Sequence, residues 1–290
     1  MADFPAPLRS RLFIGLQYLL PQHLLSRVVL HLARVRLAWF KNTLIGGFLR
    51  LYDVAMQDAA EPDPRAYDSF NAFFTRALRP GARPLPADPG VVVMPVDGTV
   101  SECGRIRGDT LIQAKGMNFS TTELLGGDEA LAAPFRDGSF ATVYLAPFNY
   151  HRIHMPYGGV LRQALHVPGD LFSVNAATTA SVPRVFARNE RVVCVFDTDA
   201  GPMTVVAVGA LFVGSIELTW AGEVTRVRPR AVRPLIVPGA PLALARGAEL
   251  ARFNMGSTVI VLFGGERFEL CCAEAAQAVR LGEPLARVRP

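Results

Sequence analysis

The sequence predicts an α+β protein in which an N-terminal amphipathic helical segment precedes a β-rich body. The first 60 residues carry apolar side chains at helical spacing, whereas short runs rich in Val, Ile, Phe and Thr follow further along the chain. No long amphipathic helix alternates with these runs, so a doubly wound parallel sheet is not expected. We therefore divide the chain into a helical segment, residues 1–60, and a β-rich body, residues 61–290.

The composition is that of a folded protein with a large core. Of the 290 residues, 50% are hydrophobic and 19% are charged, which excludes a disordered chain. The four cysteines form no C-x-x-C pair, so we expect reduced thiols rather than a disulfide framework or a zinc knuckle. The sequence contains neither G-x-G-x-x-G nor a P-loop, which argues against the common nucleotide-binding folds.

Positive charge is concentrated at the N-terminal end. Residues 1–50 contain seven basic side chains and one acidic side chain, an imbalance that suits an anionic partner such as a membrane surface or nucleic acid. Between Leu24 and Phe40 the apolar side chains recur at helical spacing, with Arg27, Arg34 and Lys41 on another side. This pattern predicts a basic helix lying in a membrane interface. The alternative is a helix packed on its own domain or in a dimer interface.

Two features exclude a membrane span and a signal peptide near this end. The uncharged stretch Leu12–Ser26 is interrupted by Pro21 and is shorter than the roughly 20 apolar residues that a span needs. It also lacks a small-residue cleavage pattern, so we do not expect its removal.

The remaining chain reads as a linker, a short helix and then strands. A polar linker is predicted at Asp58–Arg65, a helix at Ser69–Leu78, and no regular structure in the proline-rich run Arg79–Pro89. Strands are predicted at Val91–Val96, Ala141–Ala146, Arg191–Phe196, Met203–Val213 and Thr258–Phe263.

Three short segments carry residues suited to catalysis. Asp97 ends a predicted strand in MPVDG, His151 and His154 follow another in NYHRIHMP, and Ser257 follows Gly256 in MGSTVIVLF. Each has an ordinary structural explanation when taken alone. Together they provide a nucleophile in Ser257, a base in His154 or His151, and an acid in Asp97 that orients the base. The two histidines could instead be metal ligands with His166, but the spacing of this third ligand is not diagnostic.

The same segments, taken in order, resemble the bacterial phosphatidylserine decarboxylase proenzyme family, which is pyruvoyl-dependent. The resemblance extends from about residue 65 to 265. It is carried by SFNAFFTRALRPGARP, PVDG, YHRIHMP, VPGDLFSVN, FARNERVVCVFDT, VGSIELTWAGEV and MGST.

The resemblance implies a self-cleaving enzyme. Its members cut their own chain at a Gly-Ser bond, here Gly256–Ser257, and convert the serine to a pyruvoyl group. The products would be chains 1–256 and 257–290. The processing triad of the family maps onto Asp97, His154 and Ser257. The pyruvoyl group on Ser257 would form a Schiff base with phosphatidylserine and release CO2 to give phosphatidylethanolamine, and His151 is a weaker candidate for protonating the substrate.

Cofactors and partners follow from this reading. Pyridoxal phosphate is usually tethered by an active-site lysine, and only Lys41 and Lys115 are present, so we do not expect it beside the pyruvoyl group. We do not expect a metal either, because no third ligand has an obvious spacing to His151 and His154. The expected partners are phosphatidylserine in an anionic membrane, the other cleaved chain and a second copy in a homodimer, and nucleic acid is not expected. We predict a peripheral protein on the cytoplasmic face of the bacterial cell membrane.

Two other functions use the same residues. One is a serine hydrolase with the same three side chains and no chain cleavage. The other is a lipid-binding β-domain in which the triad is a coincidence. Detection of two fragments with a pyruvoyl end would separate the first reading from both.

Overall fold

Eight α-helices are present in the part of the chain that the computed structural model describes, which is residues 8–114, 117–212, 215–224, 230–235, 239, 241–271 and 275–289. They are α1 Leu8–Leu19, α2 Gln22–Ala33, α3 Ala38–Leu51, α4 Phe70–Phe74, α5 Thr121–Leu124, α6 Glu129–Ala132, α7 Ala176–Thr179 and α8 Val185–Arg188. Short 3-10 turns lie at Met56–Asp58 and Ala133–Phe135. The long helices are thus all at the N-terminal end, and the fold class predicted from the sequence, α+β, is confirmed.

Strands dominate the body. The strands up to the middle of the chain are β1 Val91–Val93, β2 Gly98–Arg105, β3 Thr110–Ala114, β4 Met117–Ser120, β5 Ser139–Tyr144, β6 Arg152–His154, β7 Gly159–Val167, β8 Arg191–Thr198 and β9 Gly201–Val208. The later strands are β10 Ser215–Leu218, β11 Gly222–Val224, β12 Arg233–Pro234, β13 Ala243–Leu244, β14 Glu249–Asn254, β15 Thr258–Phe263, β16 Phe268–Leu270, β17 Ala278–Val279 and β18 Pro284–Val288.

Among the described residues, the largest sheet joins nine strands. Its order is β12–β7–β8–β9–β15–β5–β2–β17, and β13 also pairs with β7. Strand β15 lies inside this sheet, paired antiparallel along its whole length with β9 on one side and β5 on the other. Every residue of β15 is buried, as its uninterrupted apolar sequence predicts. A second sheet, β11–β10–β14–β6, places the strand that carries His154 beside the strand that leads into Ser257.

The helical segment differs from the prediction in two ways. The expected continuous helix over Leu24–Phe40 is wrong, because α2 ends at Ala33 and α3 begins only at Ala38. The side chain of Arg34, which caps α2, forms an ion pair with Glu223 of the body at 2.8 Å. A tertiary contact therefore accompanies the break between α2 and α3. The sequence did not predict this break, because no proline or glycine lies between the two helices.

A second, aromatic core joins the helices to the body. Phe70, Phe73 and Phe74 of α4 pack with Ile45 of α3, and Met255 packs against this cluster from the body. The hydroxyl of Ser69 caps α4 by accepting a hydrogen bond from the Ala72 N–H at 3.1 Å. The segment immediately before Gly256 is thereby held against the helices.

None of the helices in the described part of the chain is long and apolar enough to span a bilayer.

Candidate active site

Ser257 lies at the start of the central strand, in the turn that connects β14 to β15. Its side chain is buried, and its hydroxyl donates a hydrogen bond to the carbonyl of Val208 at the end of β9. Its own carbonyl accepts a hydrogen bond from the N–H of Leu145 at 2.7 Å, just beyond β5. The preceding Met255 has a φ of 86°, a left-handed conformation that is strained for a residue with a side chain. The two neighbouring strands thus fix both ends of Ser257.

Glycine is the only residue type that fits at position 256, between Met255 and Ser257. A Cβ atom at this position would collide with Nε2 of His151. The movement of the imidazole is restricted, because it also packs on Phe74 with 4.0 Å between the ring centroids. The ring of His151 therefore lies directly against the Gly256–Ser257 segment.

His151 is buried and neutral. Burial lowers its pKa to about 3, and the positive charge of Arg76 adds to that lowering. The carbonyl of Asn149 lies close enough to raise the pKa slightly, but neither ring nitrogen has a well-formed hydrogen bond within the described part of the chain. Nε2, the ring nitrogen that lies nearest Gly256, is thus available to exchange a proton with a group placed at Gly256 or Ser257.

His154 is buried in a different environment, with both of its ring nitrogens engaged. Its Nδ1 lies 2.8 Å from the carbonyl of Gly247, which requires Nδ1 to carry the proton and to donate it. Its Nε2 then accepts a hydrogen bond from the Tyr150 hydroxyl at 2.9 Å. Burial lowers the pKa of His154, so this imidazole is a neutral base whose lone pair is on Nε2.

Asp97 is buried beside an arginine rather than beside a histidine. Arg83 donates to both of its carboxylate oxygens, at 2.9 and 2.6 Å, and the N–H of Leu281 donates to one of them at 2.8 Å. The backbone N–H of His154 bonds the carbonyl of Pro95, two residues before Asp97. Against the dominant effect of burial, the hydrogen bond to Gly247 and the charge of Glu249 raise the pKa of His154, and the Asp97 charge raises it to a smaller extent.

The three predicted triad residues are therefore not linked to each other by side-chain hydrogen bonds in this structure. Ser257 bonds Val208, His154 bonds Gly247 and Tyr150, and Asp97 bonds Arg83 and Leu281. Their assignment as a processing triad stays a prediction.

A cavity of about 370 Å³ opens beside the Gly256–Ser257 bond, with Met255 and Gly256 in its wall. The helical side of the wall is aromatic, with Phe48 and Tyr52 from the α3 region and Phe70 and Phe74 from α4. Three segments of the body complete it, through residues 173–175 and 210–212 and through Tyr144, Leu145 and Pro147. A largely apolar cavity with a few polar groups suits an amphiphilic molecule.

The other titratable candidates have separate positions. His166 bonds Glu190 at 2.8 Å, and the residues that the structure describes include no group of three or more His, Cys, Asp or Glu side chains suited to a metal ion. Lys115 lies outside the described residues.

Sequence reasoning missed Arg83, Tyr150 and Phe74 as parts of the site. Tyr150 directly precedes His151, so its place in the YHRIH motif was an available signal. Phe74 and Arg83 lie in SFNAFFTRALRPGARP, a segment that carries the resemblance, but a helix aromatic and an arginine in a proline-rich run did not by themselves indicate a site.

Comparisons with known proteins find relatives along most of the chain. A family model described as phosphatidylserine decarboxylase matches residues 70–287, and a second, described as PSD, matches residues 12–53. The phosphatidylserine decarboxylase proenzyme of Alkalilimnicola ehrlichii is 57% identical over 264 residues, covering 90% of this chain and 91% of the relative. The proenzymes of that name from Pseudomonas entomophila and Pseudomonas aeruginosa are each 54% identical, covering 96% of this chain and 98% and 97% of the relatives.

These matches define the class of protein as a decarboxylase, a carboxy-lyase made as a proenzyme. The chain belongs to the phosphatidylserine decarboxylase family, and the resemblance inferred from its motifs is confirmed. It decarboxylates phosphatidylserine to phosphatidylethanolamine.

Proposed function

We propose that the chain cleaves itself at the Gly256–Ser257 bond and that Ser257 becomes a pyruvoyl group. The observation that carries this proposal is the place of the bond. A buried serine follows a position where only glycine fits, a neutral histidine lies against it, and a cavity opens beside it. A glycine carbonyl also offers the least steric hindrance to attack by the neighbouring hydroxyl.

The cleavage proceeds in three balanced steps. The Ser257 oxygen attacks the Gly256 carbonyl carbon, and the peptide nitrogen leaves as the amine of an ester-linked Ser257. Loss of the proton on the Ser257 Cα then expels Gly256 as a carboxylate and leaves dehydroalanine. Its imine tautomer takes up water and releases ammonia, which leaves the pyruvoyl group at the start of chain 257–290.

For this step we assign His154 as the base and Asp97 as its electrostatic support. The lone pair on Nε2 and the lowered pKa support a role as proton acceptor. Nε2 must exchange its hydrogen bond with Tyr150 for one with Ser257. Asp97 favours the protonated ring that results, because its negative charge raises the pKa of His154.

The residues around Ser257 suit a pyruvoyl group, because Nε2 of His151 lies against the Gly256–Ser257 segment without a hydrogen-bond partner among the described residues. That group supplies a carbonyl that binds the substrate amine and withdraws electrons as CO2 leaves. We assign to His151 the proton delivered to the substrate carbon. Arg76 and burial keep this histidine neutral, so it must first receive that proton from solvent or substrate.

We further propose that residues 1–60 place the enzyme on the anionic cytoplasmic face of the bacterial membrane as a peripheral protein, and that two copies form a homodimer. Support for the membrane face comes from Leu24, Val28 and Leu32, which are exposed on α2 together with Arg27. Apolar side chains exposed beside arginines suit an interface of hydrocarbon and lipid phosphates. Support for the dimer comes from the resemblance to the family.

Mass spectrometry of the purified chain tests the cleavage. The parent protein should give chains 1–256 and 257–290, the second beginning with pyruvoyl, whereas Ser257→Ala should stay intact and inactive. Ser139→Ala is a matched control, since Ser139 is another buried serine of the same sheet, and it should be cleaved like the parent. Fragments at the 256/257 boundary in Ser257→Ala would refute the mechanism. An intact parent chain that hydrolyses esters and releases no CO2 would point to a serine hydrolase.

A further inference from the structure

Helices α1 and α2 turn polar side chains toward the body of the protein, beside Leu30 and Ala33 of α2, which are also buried. Gln17, Gln22 and Ser26 are 0%, 9% and 2% exposed, whereas Leu24 and Val28 are 57% and 47% exposed. Burying an amide or a hydroxyl is favourable only when it forms hydrogen bonds. The partners of these three side chains therefore show what the inner face of the helices does.

The two glutamines hold the loop that follows β7, residues 168–175. The Leu171 N–H donates to Oε1 of Gln22 at 2.6 Å, and the Ser173 N–H donates to Oε1 of Gln17 at 2.7 Å. Gln22 also donates to the backbone carbonyl of Gln17 at 2.8 Å, which couples the two helices. The N–H groups of Leu171 and Ser173 in this loop thus both bind amide oxygens from the helical segment.

Ser26 holds the second loop, residues 209–212. The Phe212 N–H donates to its hydroxyl at 3.1 Å, although Phe212 itself has a left-handed φ of 68°. The hydrogen bond helps to keep this residue in a conformation that side chains disfavour. All three polar side chains thus bind main-chain N–H groups in loops and leave the strands untouched.

Both loops line the cavity beside Gly256. Ser173 and Asn175 of the first loop and Ala210 and Phe212 of the second are in its wall. Hydrogen bonds from α1 and α2 therefore set the positions of cavity residues that the helices α1 and α2 do not themselves supply. Leu30 and Ala33 are buried on the same helix, so apolar packing and these hydrogen bonds act together on its inner face, while Leu24, Val28 and Leu32 are exposed on its outer face.

We propose that Gln17, Gln22 and Ser26 are positioning residues for phosphatidylserine binding, which fix the two loops in the shape that admits the lipid. Because the same helices expose leucine and valine on their outer face, attachment to a bilayer and the shape of the cavity share one rigid support. The inference rests on the proposed role of the cavity and of the membrane face.

Kinetics on a short-chain phosphatidylserine dissolved as monomers test the proposal, because this substrate does not require membrane attachment. Gln22→Leu and Ser26→Ala should each raise KM about five-fold, roughly the factor that one net hydrogen bond contributes, with little change in kcat. Gln22→Glu keeps an oxygen that accepts from Leu171 but loses the N–H that Gln22 donates to the Gln17 carbonyl, so it should restore KM only in part. Self-cleavage, followed on a gel, should be complete in all three variants.

Val28→Gln is the matched control, since Val28 lies on the outer face of the same helix. It should weaken flotation with phosphatidylserine vesicles and leave KM for the dissolved lipid unchanged. The proposal is overturned if Gln22→Leu and Ser26→Ala keep the parent KM. Should Gln22→Leu fail to fold, Ser26→Ala decides, since it removes a single oxygen. A parent enzyme with no decarboxylase activity would instead contradict the proposed function.

Discussion

His151 and His154 are three residues apart, and their surroundings give them different chemistry. His151 touches the Gly256–Ser257 segment with free ring nitrogens and a pKa of about 3. His154 has one nitrogen committed to the Gly247 carbonyl and presents the other as an acceptor. A ring with a fixed tautomer suits a base that acts once, during cleavage. A ring whose Nε2 faces the Gly256–Ser257 segment without a hydrogen-bond partner among the described residues suits repeated proton exchange with substrate.

Substitution of each histidine separates these roles. We expect His154→Ala to block self-cleavage, since the acceptor for the Ser257 proton is lost. We expect His151→Ala to be cleaved but to decarboxylate at least about 100-fold more slowly, the usual range for loss of a general acid or base. Gel electrophoresis and CO2 release measure the two effects. Normal cleavage of His154→Ala would refute its assignment.

Gly256→Ala tests the contact between the bond and the imidazole. The new methyl group must displace a ring that is held by Phe74, and overpacking of this kind costs about 1–3 kcal/mol. Self-cleavage should therefore slow about ten-fold or more, as measured by the rate of fragment appearance.

The double variant Gly256→Ala/His151→Ala is the control for that contact. It removes the obstructing ring and should cleave as fast as His151→Ala alone. Equal slowness in the single and double variants would mean that the glycine is needed for a reason other than space.

At the scale of elements, the proline-rich run 79–89 is without helix or strand, as predicted, yet it is firmly attached to the body. Arg83 links Asp97 to Asp58 through charge-assisted hydrogen bonds, with side chains that are 8%, 9% and 16% exposed. Its pKa is raised by both carboxylates, so it stays charged. The run therefore serves as a clamp between the helical segment and β2.

Arg83→Leu should remove about 3–5 kcal/mol from the free energy of unfolding, because it leaves the Asp97 carboxylate buried without its cation. Urea denaturation in the Ser257→Ala background measures this on a single intact chain. Arg79→Leu is the matched control, an exposed arginine in the same run that should change the free energy by less than about 0.5 kcal/mol. Similar losses in both variants would argue against the clamp.

Local patterns predicted some elements well and others poorly. The strand Thr258–Phe263 was predicted with its observed ends, since a glycine precedes a continuous apolar run. The strand Gly159–Val167 was missed, because Arg162 and Gln163 interrupt its pattern where the pairing with β8 is irregular. The helix expected at Ser69–Leu78 is confirmed only over Phe70–Phe74, and β9 ends at Val208 rather than near residue 213.

The candidate site was predictable only where its chemistry lies in short motifs. Gly256, Ser257 and the two histidines were found in this way. The pairing of Asp97 with Arg83 and the contact of His151 with Phe74 depend on residues distant in sequence. Which partner a buried charge or ring selects is decided by the tertiary fold, and no local pattern encodes it.

At the scale of the whole molecule, the N-terminal helices cannot be treated as a removable anchor. Phe48 and Tyr52 line the cavity, and Ile45 belongs to the aromatic core with Phe73. Deleting these helices would therefore disturb the site as well as any membrane contact. Substitutions on the exposed side chains are the cleaner test.

We expect the double variant Arg27→Gln/Arg36→Gln to bind anionic vesicles about thirty-fold more weakly at low salt, at about 1 kcal/mol per basic residue. The difference should shrink at high salt, where lipid charges are screened. Leu24→Gln should weaken binding at every salt concentration, since hydrocarbon burial does not depend on ionic strength. Vesicle flotation measures both.

Arg136→Gln is the control for vesicle binding, because Arg136 is an exposed arginine of the β-rich body, and it should bind like the parent. Arg34 is left unchanged, because it pairs with Glu223. If Arg27→Gln/Arg36→Gln and Leu24→Gln all float like the parent, another surface carries the membrane contact.

Strand β15 has one more consequence. Cleavage at the Gly256–Ser257 bond would leave a short chain whose first strand is hydrogen-bonded on both edges within the largest sheet, with β16, β17 and β18 adding further pairs. The mature enzyme would then consist of two different chains that share one sheet, although that sheet first folded within a single chain. Its refolding becomes a second-order reaction between two unequal partners, so dilution alone would oppose recovery. Once separated, the chains would have lost the covalent bond that first aligned them. The folded enzyme would then dissociate slowly, and its separated chains would refold with difficulty.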